Sequence, residues 1–111
     1  MNRNKREQAE FDKLYELYKG IPANKLKLVE GLIDQAARLK ISLDDLWEDI
    51  LENGNTETFE QGSDSFERER PNSKIFTQRD KSYQSIIKQL DAMLPPEKPK
   101  GKLEELLNDD D

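Results

Sequence analysis

Carboxylates are the most abundant side chains here that could do chemistry. The chain carries 24 Asp and Glu, with neighbours at Asp44/Asp45, Glu48/Asp49 and Glu104/Glu105 and a terminal run Asp109-Asp110-Asp111. Paired carboxylates act as acid–base couples or Mg²⁺ ligands when a shaped, partly dry pocket holds them. Helical spacing instead puts Asp44, Asp45, Glu48 and Asp49 on the solvent side of an amphipathic helix, where such charge is solvated. The sequence has no cysteine and no histidine. That excludes a thiolate nucleophile, an imidazole base, disulfides and Cys/His zinc sites. Its 5 glycines are scattered singly, so no phosphate-cradling loop exists, and no Ca²⁺-binding loop pattern occurs. The reading is a non-enzymatic protein with no cofactor and no metal.

The second candidate chemistry is cationic. Arg3, Lys5, Arg6, Lys13, Lys25 and Lys27 form a candidate face for duplex backbone, with Arg38 and Lys40 as second choices. Phe11, Tyr15 and Tyr18 interleave with Arg6, Lys13 and Lys19, a mixture that single-strand binders use for base stacking. At helical spacing such an aromatic stripe more commonly forms a core or an interface. The net charge of -6 is uneven, with residues 1–41 at +3, residues 42–71 at -8 and residues 72–111 at -1. An acidic protein does not coat nucleic acid nonspecifically, but a local basic face multiplied over several copies remains effective.

These residues need elements to hold them, and the chain offers little core. Of its 111 residues 33% are hydrophobic and 38% charged, against about 45–50% apolar (Gly included) and 25% charged in ordinary domains. No apolar run approaches the roughly 18 residues of a membrane span, and the first residues lack the apolar segment of a signal peptide. Cys-free composition fits a reducing cytoplasm.

Periodicity predicts four short helices. The first covers about residues 5–19, and Gly20 with Ile21-Pro22 closes it. The second covers about residues 23–40, with Leu26, Val29, Leu32, Ile33, Ala36 and Leu39 as its apolar stripe. Gly31 within it suggests a close helix crossing. Ser42 then reads as an N-cap answered by Asp45, with Ile41 and Leu46 as a hydrophobic staple. This predicts a tight corner and a third helix over about residues 42–52. Residues 55–73 read as a long polar loop, and the fourth helix covers about residues 75–94. Expected core or oligomerisation residues are Phe11, Tyr15, Tyr18, Leu32, Trp47, Ile50, Tyr83, Ile87 and Leu90. The organisation is a basic N-terminal helix (1–20), a helical core and oligomerisation domain (21–95) and an acidic disordered tail (96–111). The expected fold is all-α, a helix–turn–helix with an antiparallel return helix.

Val29-Glu-Gly-Leu-Ile-Asp-Gln-Ala-Ala-Arg-Leu39, Ser42-Leu-Asp-Asp-Leu-Trp-Glu-Asp-Ile50 and Asn53-Gly54 resemble the helix pair of small terminase subunits from tailed bacteriophages. The likeness continues through Glu67-Arg-Glu-Arg-Pro71, Lys81-Ser-Tyr-Gln-Ser-Ile-Ile-Lys-Gln-Leu90 and Met93-Leu-Pro95, so it spans about residues 25–95. The resemblance implies a homo-oligomeric ring that binds double-stranded viral DNA and hands it to the large terminase subunit in the cytoplasm of a bacterial host. The large subunit of that family supplies the ATPase and nuclease. A competing reading is a small acidic adaptor or inhibitor, antitoxin-like or DNA-mimicking, whose segment 42–71 attracts a basic protein.

Overall fold

The computed structural model describes residues 4–95 together with Leu103, Leu106 and Leu107. Asn4 opens the first helix, α1 (Lys5–Tyr15), by accepting the Glu7 amide on its side-chain oxygen at 2.7 Å. This satisfies one of the four amide groups that a helix start leaves without a partner. A 3₁₀ turn over Glu16–Tyr18 follows, and Gly20 takes φ 97°, a conformation glycine adopts without steric cost.

After Pro22 the chain enters α2, one unbroken helix of 31 residues, Ala23–Asn53. This corrects the two short helices and the corner expected at Ile41-Ser42. Ending a helix there would strand backbone groups at two new termini, and neither Gly nor Pro at the junction forces it. The residues of the expected cap serve other contacts. Lys40 and Asp44 form an ion pair at 3.1 Å across the supposed corner. The Ser42 hydroxyl accepts a hydrogen bond from Arg79, and Asp45 pairs with Arg6 of α1 at 2.8 Å. Gly31 is exposed and a Cβ there would meet nothing within 4 Å, so no helix crossing accounts for it.

The all-α expectation is overturned by residues 55–73. Instead of a loop they hold an antiparallel hairpin, β1 (Thr56–Gln61) paired with β2 (Asp64–Glu69), in the register Phe59↔Phe66. Gly62 at φ 64° is the first of two turn residues, as a type II′ hairpin turn requires. Phe59 and Phe66 pack at 5.2 Å between ring centroids. Arg68 lies 4.2 Å over the Phe59 ring and bonds Glu57 at 2.7 Å. Arg70 and Pro71 then start α3 (Pro71–Ala92), with proline in the first turn where its missing N–H costs nothing.

Both α1 and α3 run antiparallel to α2. Arg6 at the start of α1 meets Asp45, and Arg79 of α3 meets Ser42. The core lies along the N-terminal part of α2, where Leu14, Leu17 and Tyr18 pack with Val29, Ile33, Ala36, Ile86 and Leu90. Leu103 joins this core at 1% exposure, and Leu106 and Leu107 pack against it. The expectation of disorder over 96–111 therefore does not hold for these three leucines; the rest of that segment lies outside the described residues. A leucine buried this fully contributes about 1.5–3 kcal/mol, which helps a chain with so few apolar residues. Tyr18 is fully buried, and its hydroxyl donates to the Leu90 carbonyl at 2.5 Å, bonding α3 to the turn after α1. Burial, and then the nearby Asp91 charge, push its ionisation well above the usual phenol range.

Candidate functional site

Of the six cations expected to face DNA, the five described ones do not assemble into one surface. Arg3 lies outside the described residues. Lys5 is exposed in the first turn of α1. Beside it the Arg6 guanidinium is held by Asp45, whose hydrogen bond raises the Arg6 pKa above its usual value. Lys13 pairs with Glu10 at 3.3 Å. Lys25 and Lys27 are exposed in the first two turns of α2. The rise of a helix puts them roughly 27–30 Å along α2 from Asp45, where Arg6 is anchored. The second choices are engaged as well, Arg38 with Asp34 at 2.9 Å and Lys40 with Asp44. Lys19, the remaining cation of the aromatic stripe, pairs with Glu16 at 2.8 Å.

Most of the expected oligomerisation residues are used inside the chain. Tyr18 and Leu90 are fully buried and Ile50 is 5% exposed. Phe11 and Tyr15 stack at 5.6 Å, and with Leu32, Tyr83 and Ile87 they are partly buried against the core. The aromatic stripe of the first helix is thus covered by its own protein. Trp47 departs from expectation. It is 48% exposed and packs its inner side on Phe76 at 5.6 Å. It lies two residues beyond Asp45, the partner of Arg6 in the first turn of α1, and meets α3 through Phe76. Leu51, one turn on, is 69% exposed.

Of the paired carboxylates, Asp44, Asp45 and Asp49 make contacts within the fold, and Glu104/Glu105 and Asp109-Asp110-Asp111 lie outside the described residues. Asp49 is the centre of a polar knot at the base of the hairpin. It accepts from Asn53 at 2.8 Å, Asn72 at 3.0 Å and Arg70 at 2.9 Å. Arg70 also donates to the Gly54 carbonyl at 2.7 Å, and Ser73 to Asn55 at 2.9 Å. The hydrogen bonds from Asn72 first, then Asn53, with Arg70 adding its charge, hold the Asp49 carboxyl below the usual range. This knot fixes the hairpin to the end of α2 and the start of α3. Among the described residues no group of three His, Cys, Asp or Glu side chains could hold a metal ion. No described helix is long and apolar enough to cross a membrane.

Two features escaped the sequence reading. The polar faces of the hairpin hid its strands, although Gly62-Ser63 between two runs of equal length is a readable turn signal. The other is the spacing of Lys74, Lys81 and Lys88, seven residues apart on what proves to be the solvent face of α3. Comparison with protein-family models, with curated proteins and with solved structures finds no match to this chain.

Proposed function

We propose that the chain is a non-catalytic small terminase subunit of a tailed phage. It assembles into a homo-oligomer, binds double-stranded viral DNA and delivers it to the large terminase subunit in the bacterial cytoplasm. The observation that carries this reading is that the stretch of family resemblance, about residues 25–95, forms one connected unit. In it α2 and α3 pack antiparallel, with the hairpin locked between them by Asp49 and Arg70. Trp47 and Leu51 leave apolar surface on that unit, which contact between copies would cover.

The test is the absolute mass in solution at moderate salt, with and without duplex DNA. A closed oligomer of many subunits that gains mass with DNA is expected. A 13.0 kDa monomer that ignores DNA overturns the reading. That outcome would favour the adaptor or inhibitor alternative, for which the exposed carboxylates of Glu60, Asp64, Glu67 and Glu69 on the hairpin offer a surface for a basic protein.

A further inference from the structure

We infer that the solvent face of α3 is the surface that contacts the phosphate backbone of duplex DNA, through Lys74, Lys81 and Lys88. This inference rests on the DNA-binding reading above and moves the contact surface away from the N-terminal cations.

A seven-residue step is almost two helical turns, so the three lysines drift by only about 40° over fourteen residues. They stand in one file, about 10.5 Å apart and about 21 Å from end to end. All three are exposed, as are Gln78 and Ser85 between them. Of the two acids of the helix, Asp80 lies about 100° round the axis from Lys81 and Asp91 about 60° from Lys88. Asp80 is the acceptor of a bond from Gln84 at 2.7 Å. Among the described residues none of the three lysines enters an ion pair, and neither do Lys5, Lys25 and Lys27, whereas Arg6, Lys13, Lys19, Arg38, Lys40, Arg68 and Arg70 all do. What sets the α3 lysines apart in a protein of net charge -6 is that they stand in one straight file on one helix, whereas Lys5 lies on α1 and Lys25 and Lys27 lie about 200° apart round α2.

The chemistry of the face identifies the polyanion. Its aromatic neighbour Tyr83, in a groove shared with Lys81 and Lys88, is partly buried against the core, so the face lacks the open stacking platform of single-strand binders. The apolar side chains that share a groove with Lys81 and Lys88, Ile87, Leu103 and Leu107, are packed in or against the core, so they are not free to insert into a bilayer. Regularly spaced point charges with amide and hydroxyl donors between them suit a rigid backbone of evenly spaced phosphates.

The experiment compares the full chain with two triple variants of equal net charge. One is Lys74→Gln/Lys81→Gln/Lys88→Gln, and the other is Lys5→Gln/Lys25→Gln/Lys27→Gln. Binding to a fluorescent 30-base-pair duplex of arbitrary sequence is read by anisotropy from 50 to 200 mM salt, with thermal melts to verify folding. The α3 variant is expected to lose at least tenfold in affinity at 50 mM salt. Its slope of log K against log salt should become shallower by roughly three for each subunit engaged, while the other variant stays within about threefold. Equal losses in both variants would reduce the effect to net charge and overturn the inference. An α3 variant that keeps the wild-type affinity and slope would overturn it while leaving DNA binding intact. Wild-type protein that binds no duplex would remove the functional reading itself. Binding to phosphatidylserine vesicles, but not to duplex, would assign the face to a membrane and also overturn the inference.

Discussion

Replacing Ser42 tests the continuity of α2, because proline and alanine there differ sharply in cost within an unbroken helix and little at a corner. In the continuous helix Ser42 sits near the middle of Ala23–Asn53. Its amide bonds the carbonyl four residues back, that of Arg38. Ser42→Pro deletes that bond and drives the ring into the same carbonyl, at a cost of about 3 kcal/mol or more. For a chain of this size that lowers the melting temperature by roughly 12 °C. Ser42→Ala loses only the side-chain contact with Arg79, at the rim of a groove lined also by Arg38 and Leu39. The better helix propensity of alanine offsets part of that loss, so the net change stays within about 0.5 kcal/mol. A corner with Ser42 as N-cap closes that gap. There both substitutions remove the same cap, worth about 1 kcal/mol, while proline outside the helix breaks no helical hydrogen bond. Urea unfolding followed by far-ultraviolet circular dichroism gives both values. Similar costs near about 1 kcal/mol for Ser42→Pro and Ser42→Ala would refute the single helix.

Tyr18→Phe keeps the ring but removes the buried hydrogen bond to Leu90, and calorimetry should show a loss of about 0.5–1.5 kcal/mol. Leu90→Ala, at 0% exposure, should cost about 2–5 kcal/mol. Trp47→Ala should cost less, about 1–2.5 kcal/mol in the dissociated chain, because half of the ring is already in water. Equal costs in urea melts would contradict the exposed position of Trp47. Asp49, whose folded pKa is depressed, adds stability that is present above its unfolded pKa of about 3.9 and is lost as pH falls through its folded value. The gap in melting temperature between wild type and Asp49→Asn should therefore be widest near pH 7 and shrink below about pH 4. A gap independent of pH would show that the carboxylate charge is irrelevant to the hairpin anchor.

The sequence by itself determined where helix is stable. Apolar residues at helical spacing mark about residues 5–19, 23–40, 42–52 and 75–94, and Gly20, Pro22 and Gly54 punctuate them. It also determined the chemistry the chain lacks, since no folding can supply an absent thiol or imidazole. Tertiary structure decided whether local signals were obeyed. Ser42 and Asp45 spell a cap, yet both side chains find partners on neighbouring helices, so the helix continues through them. The hairpin was hard to read because both of its faces meet water, and apolar alternation, the usual signature of a strand, has no core to answer to.

Which cations remain unpaired is likewise a property of the fold. Arg6 is neutralised by Asp45 across 39 positions of sequence, a pairing that periodicity cannot register. Lys74, Lys81 and Lys88 share a spacing visible in one dimension, but only the packing of α3 on α2 turns that side to solvent. Periodicity reports which side chains share a face of one element. It does not report what another element, folded back from a distant part of the chain, presents to that face. Trp47 and Leu103 show this in opposite senses, a tryptophan on an apolar stripe left half in water and a tail leucine drawn into the core.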